Sequence, residues 1–102
     1  MSARRELWHQ DRLHVVAVLE EDGDLVFEGQ DLNGWLGSAE YEYWVRCPAA
    51  DVPRVVAALG GSPGDDVLTL LVEHADELVL RGESTWLRSL GIDPEVDTHS
   101  SD

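Results

Sequence analysis

Three runs in the first half of the chain are typical of β-strands: two are rich in β-branched and other apolar residues, and the third alternates between apolar and polar residues. The runs are Leu13–Leu19 (LHVVAVL), residues 25–29 (LVFEG) and Glu40–Cys47 (EYEYWVRC). Residues 20–24 (EEDGD) separate the first two runs and have the composition of a turn. The first two strands are therefore predicted to form a β-hairpin.

The hairpin has two competing registers. A two-residue loop at Asp22 and Gly23 would put Glu28 on the same face as the apolar side chains of the first strand. A three-residue loop that ends at Gly23 instead pairs Leu19 with Leu25 and gathers the apolar side chains on one face. We favour the three-residue loop because it separates apolar from polar residues more completely, and a one-residue slip would turn every side chain over.

Apolar residues in the second half of the chain recur every three or four positions, which is the helical pattern. This pattern predicts a first helix over residues 52–59 and a third over residues 84–90. Between them it predicts a second helix over residues 63–80, and the pattern is also compatible with a break near His74 or Asp76. Glycines and N-capping Asp and Ser residues mark the helix boundaries.

Three strands followed by three helices predict an α+β fold of two layers. In this fold a three-stranded antiparallel sheet carries the three helices packed on one face. Residues 12–92 are expected to form this single domain, with a loose N-terminal segment over residues 1–11 and a disordered acidic tail over residues 93–102. A chain of 102 residues is long enough to bury one core.

The chain carries a strong excess of negative charge. Twenty-one acidic residues oppose seven basic ones, all of them Arg, and the net charge at pH 7 is -14. Because the acids are spread along the whole chain, the field should repel nucleic-acid phosphates and anionic membranes and favour a basic protein partner. A second interpretation is that the charge serves solubility alone.

No motif in the sequence points to catalysis or to a cofactor. A glycine-rich phosphate loop and the nucleophilic-serine motif are both missing from the sequence. His74 and Glu77 share a helical face but make an incomplete metal site, and Asp22 with Asp24 has the spacing of a turn. Cys47 is expected to be a buried, unreactive thiol. We predict a non-enzymatic protein without catalytic residues, metal or cofactor.

The cellular compartment is predicted from what the sequence lacks. One cysteine cannot form an internal disulfide, and no apolar run approaches the ~18 residues of a membrane span. The first residues also lack the apolar core of a signal peptide. A cytoplasmic protein is therefore expected.

The sheet face that points away from the predicted helices is the strongest candidate for recognition. It combines three valines and a tryptophan with charged residues, and a purely solvated face would be more polar. The residues predicted to contact a partner are Trp44 as anchor, Glu42, Arg46, Glu28, Val16 and Val18. The alternative is that the N-terminal segment and Trp8 cover this face.

Two further hypotheses remain open. A homodimer that buries this sheet face is one of them. The other is a small-molecule pocket under the loop that carries Trp35, close to Tyr41, Tyr43 and Cys47. Trp35 is in either case a candidate loop anchor, since aromatic side chains dominate binding energies.

Three segments carry a resemblance to a known group. They are GQDL (residues 29–32), EYEYWVRCPAADVPRVVAALGG (residues 40–61) and STWLRSLGI (residues 84–92). In these segments the chain resembles small, acidic, uncharacterised proteins of high-GC actinobacteria. The shared motifs are structural, so the resemblance implies no activity. In general character the chain is also similar to immunity proteins, which implies a basic toxin as partner.

Overall fold

The computed structural model of the chain describes residues 3–10, 13–31 and 40–101. Within these ranges the fold is α+β, with a five-stranded antiparallel sheet and four α-helices. The strands lie side by side in chain order: β1 (Ala3–Gln10), β2 (Leu13–Leu19), β3 (Leu25–Asp31), β4 (Glu40–Cys47) and β5 (Glu95–Ser101). The prediction of a three-stranded sheet followed by three helices is therefore wrong.

The two unpredicted strands form the two edges of the sheet. Residues 3–10, expected to belong to a loose segment, form β1, and residues 95–101, expected to belong to a disordered tail, form β5. An edge strand pairs on one side only, and native proteins keep such strands charged so that they do not pair with other chains. Their polar composition therefore hides them from a search for apolar alternation.

A β-bulge in β1 explains which of its side chains reach the core. Glu6 pairs with Val16 and Trp8 pairs with Val15, so Leu7 is an extra residue in the β1–β2 ladder. Leu7 is buried in the main core, and Trp8 packs against that core from the same side. In a regular strand Trp8 would lie on the opposite face from Leu7. The bulge changes the direction of the side chains that follow it, so Trp8 lies on the same face as Leu7.

The hairpin between β2 and β3 has the favoured register. Leu19 pairs with Leu25, and the Glu20 N–H donates to the Asp24 carbonyl at 2.9 Å. Gly23 closes the three-residue loop with a φ of +95°, a conformation that glycine adopts without steric cost. The prediction made from the separation of polarity is confirmed.

The helices lie between β4 and β5 in the chain and follow a short 3₁₀ turn. They are α1 (Val52–Ala58), α2 (Val67–Glu73), α3 (Ala75–Arg81) and α4 (Glu83–Ser89). The predicted helix over residues 63–80 begins only at Val67, because the Asp66 side chain caps α2 by accepting the Leu68 N–H at 3.2 Å. The single predicted helix is in fact two, since α2 ends at Glu73 and α3 begins at Ala75, with the break at His74 that the pattern allowed.

One hydrophobic core fills the space between the helices and the inner face of the sheet. Its largest fully buried side chains are Phe27, Leu25, Leu71, Leu78, Leu87, Val15, Val55 and Cys47. α2 packs against β1 and β2, α3 packs against β1, and α4 packs against β4. Within the described ranges, no helix has the length and apolar character that crossing a lipid bilayer requires.

Candidate functional site

The face of the sheet that points away from the helices, here called the outer face, is organised in rows across the five strands. One row holds Glu6, Val16, Glu28, Trp44 and Asp97, and its neighbour toward the hairpin turn holds Arg4, Val18, Val26, Arg46 and Glu95. The third row holds His9, His14, Gln30, Glu42 and His99. Side chains that are directly opposite in such rows stand about 5 Å apart and contact each other.

A small apolar cluster lies under the centre of the outer face. Val16, Val18 and Val26 retain only 7%, 8% and 4% of their exposure, and Trp44 packs against them while staying partly exposed. Of the predicted contact residues, Val16 and Val18 are therefore buried and serve as the support for Trp44. The alternative in which Trp8 covers this face is wrong, because Trp8 packs against the core on the helix side.

Carboxylates surround Trp44 on the outer face. Glu28 and Asp97 are its direct neighbours on the two adjoining strands, and Glu42 is two residues before it on β4. Trp44 lies between two shallow cavities. The cavity on the β5 side, about 300 Å³, is lined by Glu20, Val26, Glu28, Trp44, Arg46, Glu95 and Asp97. The cavity on the β1 side, about 270 Å³, is lined by Arg4, His14, Val16, Glu28, Gly29, Gln30, Glu42 and Trp44.

Arg46, another predicted contact residue, is engaged within the chain. Its Nη1 donates to the Glu20 carboxylate and, at 2.9 Å, to Oδ2 of Asp24. Oδ1 of Asp24 accepts the Ala49 N–H at 2.9 Å, and this bond, followed by the one from Arg46, lowers the pKa of Asp24. The bonds to Glu20 and Asp24 raise the pKa of Arg46 in turn. Arg46 therefore joins β4 to the hairpin turn.

The carboxylates of Glu20, Asp22 and Asp24 form a tight group in the described part of the chain, with oxygens within 4.8 Å of one another. Two of the three carboxylates, those of Glu20 and Asp24, already form salt bridges with Arg46. Oδ1 of Asp22 accepts the Asp24 N–H at 3.0 Å, which is the local bond of an Asx turn. The group is therefore explained by turn geometry and by its arginine.

The residues proposed for a small-molecule pocket do not assemble one among the described residues. Trp35 lies outside the described ranges, and Cys47 is buried. Burial, with smaller contributions from Asp51 and Asp24, raises the pKa of the Cys47 thiol to about 11. A thiol in that state stays protonated at neutral pH and is a poor nucleophile.

A more apolar cavity of about 390 Å³ lies elsewhere, between α1 and the segment that precedes α2. Asp65 and Asp66 stand at its edge, but both carboxylates already accept backbone N–H groups, from Ser62 at 2.8 Å and from Leu68 at 3.2 Å. Ligand pockets usually present polar groups aimed at the ligand. The outer face, with its carboxylates around Trp44, is therefore the stronger candidate.

Sequence reasoning missed the contributions of the two edge strands to the outer face. In β5 (EVDTHSS) Val96 is the one apolar residue, so the sequence carries no alternation that marks a strand. In β1 the bulge at Leu7 interrupts the alternation, and the sequence gives no clear strand signal there either.

Comparison of the chain with protein-family models, with curated proteins and with solved structures gave no match. The resemblance to the actinobacterial group stays a prediction. Function is inferred from the geometry and the charge of the outer face.

Proposed function

We propose that this chain is a non-enzymatic protein-binding module that docks through its outer face on a basic protein surface. The observation that carries the proposal is the position of Trp44, which lies partly exposed over buried valines with Glu28 and Asp97 on either side. An aromatic ring on a packed support loses little freedom on binding, and such anchors dominate interface energies.

The chemistry around Trp44 suits an Arg or Lys side chain of the partner. A cation over an indole ring gains a cation–π interaction. Carboxylates beside the ring, such as Glu28 and Glu42, can accept charge-assisted hydrogen bonds from the same cation. The two cavities beside Trp44 offer room for such side chains on both of its flanks.

The overall charge supports a partner of opposite sign. A net charge of -14 accelerates the encounter with a basic protein and makes association sensitive to salt. Two copies of the chain packed face to face would bring the carboxylates around Trp44 close to one another, which disfavours a homodimer through this face. An immunity-type role, with a basic toxin as partner, is one case of the proposal.

The test compares two double variants with the same change in net charge. A partner is captured from a native lysate at low salt, purified, and titrated by isothermal calorimetry. Glu28→Gln with Glu42→Gln should weaken binding by about tenfold or more, because these carboxylates lie at the interface. Glu73→Gln with Glu77→Gln changes exposed carboxylates of α2 and α3 and should have a much smaller effect.

Three outcomes would contradict the proposal: equal weakening by the two double variants, capture of acidic proteins only, or no protein released as salt rises. Trp44→Ala adds a second measurement and should abolish measurable binding. Because this change also uncovers Val16, Val18 and Val26, the glutamine variants remain the decisive comparison.

A further inference from the structure

Three potential metal ligands converge at one corner of the outer face, where β1 pairs with β2. Oε1 of Glu6 lies 3.2 Å from Nδ1 of His9 and 3.8 Å from Nε2 of His14. The two imidazole rings face each other across the strands, with centroids 5.1 Å apart and planes tilted by 47°. All three side chains are accessible from solvent, with 53%, 70% and 36% of the Glu6, His9 and His14 side chains exposed.

The β-bulge is what brings these residues together. Residues three apart on a regular strand point to opposite faces, so Glu6 and His9 would normally be separated by the sheet. The extra residue Leu7 restores His9 to the outer face, directly opposite His14 on β2. Bulges often redirect a side chain next to a functional site.

We propose that Glu6, His9 and His14 bind a divalent transition metal of the Zn²⁺ class, with water completing the coordination. Two imidazole nitrogens and one carboxylate oxygen form a donor set that zinc, copper, nickel and cobalt prefer and that calcium and magnesium do not. This proposal does not depend on partner binding, although His14 also lines the cavity on the β1 side of Trp44.

Two of the three distances between the ligand atoms are close to what such a metal requires. Zinc takes histidine nitrogen and carboxylate oxygen at about 2.0–2.2 Å in a tetrahedron, which places neighbouring ligand atoms roughly 3.3–3.6 Å apart. The Glu6–His9 separation of 3.2 Å lies just below this range, and the Glu6–His14 separation of 3.8 Å lies just above it. The third distance, between the His9 and His14 nitrogens, is longer, because the three ligand atoms do not all lie within 4.8 Å of one another. Metal binding therefore requires the exposed His9 side chain to turn toward His14, which it can do without disturbing the core. The bound metal would join β1 to β2.

The test is a titration of the untagged, chelator-treated protein with ZnCl₂ by isothermal calorimetry, with CaCl₂ as the contrasting ion. We expect one Zn²⁺ per chain and no comparable binding of Ca²⁺. His9→Ala and His14→Ala should each weaken zinc binding by about tenfold or more, since loss of one ligand leaves an incomplete site. Glu6→Gln should weaken it in the same direction.

The matched controls lie on the same face at the opposite edge of the sheet. His99→Ala and Glu95→Gln remove the same residue types from β5 and should leave zinc binding unchanged. A readout without substitutions is the imidazole NMR spectrum, in which Zn²⁺ should shift the signals of His9 and His14 and leave those of His74 and His99 in place. Equal effects of the β1 and β5 variants, equal binding of Ca²⁺, or no stoichiometric zinc binding would each overturn the proposal.

Discussion

The hydroxyl group of Tyr43 on β4 donates a hydrogen bond of 2.9 Å to Oε1 of Glu83, the first residue of α4. Glu83 is the buried charged residue of the described core, with 4% of its surface exposed. Burial raises the pKa of its carboxyl group, and the hydrogen bond from Tyr43 opposes that rise in part. This contact joins the helical layer to the sheet through a carboxylate that the fold holds away from water.

The raised pKa of Glu83 predicts that its contribution to stability is lost as pH increases. Below the ordinary value of 4.5 the group is protonated in both the folded and the unfolded chain. As pH rises through the higher pKa of the folded state, folding must bury a charge, and the free energy of unfolding falls. Glu83→Gln removes this titration. Urea unfolding should show a Glu83→Gln protein that gains stability over the native chain between pH 4 and pH 8.

Tyr43→Phe tests the other end of the same hydrogen bond and should act in the opposite direction. Removing the hydroxyl takes one hydrogen-bond donor away from the buried Glu83 carboxylate. The free energy of unfolding should fall by roughly 1–3 kcal/mol near neutral pH. The cost should shrink at low pH, where Glu83 is protonated. A Tyr43→Phe effect that does not depend on pH would show that the carboxylate does not rely on this donor.

Gly29 is expected to be intolerant of substitution because of Tyr43. The two residues are directly paired across β3 and β4, and a Cβ atom on Gly29 would overlap the Cζ, Cε2 and hydroxyl atoms of Tyr43. Gly29→Ala should therefore destabilise the fold by roughly 1–3 kcal/mol, the usual cost of overpacking. Chemical denaturation of Gly29→Ala in native and Tyr43→Ala backgrounds tests the cause. The glycine substitution should cost clearly less once the ring is absent.

Asp24 is expected to stabilise the hairpin turn at neutral pH and to lose this effect in acid. Its pKa is lowered, first by the Ala49 N–H and then by Arg46, so its contribution is present above the ordinary value of 3.8 and is lost as pH falls below it. Asp24→Asn should lower the midpoint of thermal unfolding at pH 7. The difference from the native chain should narrow toward pH 3.

Asp22→Asn is the matched control for that prediction, since it removes one negative charge from the same turn. Asp22 is exposed and its carboxylate accepts only the local Asp24 N–H among the bonds described for it. If both variants lowered the midpoint equally, the stabilisation would come from the general charge of the turn and not from the contacts of Asp24 with Arg46 and Ala49.

The strands that the sequence predicted are those rich in apolar residues that enter the core. The bounds of β2 and β4 and the pairing of Leu19 with Leu25 follow from separation of polarity, which fixes register when one face enters a core. β5 is exposed, and β1 buries Leu7 next to exposed charged residues such as Arg5 and Glu6, so neither edge strand carries a clear apolar pattern. The helix α2 begins at Val67, later than predicted, because the Asp66 side chain caps its first turn.

The candidate site was predictable only where it lies on β2, β3 and β4, and β2 contributes the predicted Val16 and Val18. On β3 and β4 the prediction concerns polar residues and Trp44. The alternation of those strands places Glu28, Glu42 and Trp44 on one face, and the pairing of Glu28 with Trp44 agrees with that prediction. Sequence alone could not show that Arg46 forms salt bridges with Glu20 and Asp24, because these contacts need the hairpin turn to lie beside the end of β4. The meeting of Glu6 with His9 depends on a bulge, which has no signature in the alternation of β1.

Cys47 offers a direct measure of how firmly the end of β4 is packed. With burial raising its pKa to about 11, the thiolate that reacts with iodoacetamide makes up roughly one thousandth of the population at pH 8. Alkylation of the native protein should therefore be very slow and should become rapid in concentrated urea. The chain contains one cysteine, so mass spectrometry of the alkylated protein reports this residue alone. Rapid alkylation without denaturant would mean that the junction between β4 and the following turn opens readily, and that the thiol is available for chemistry after all.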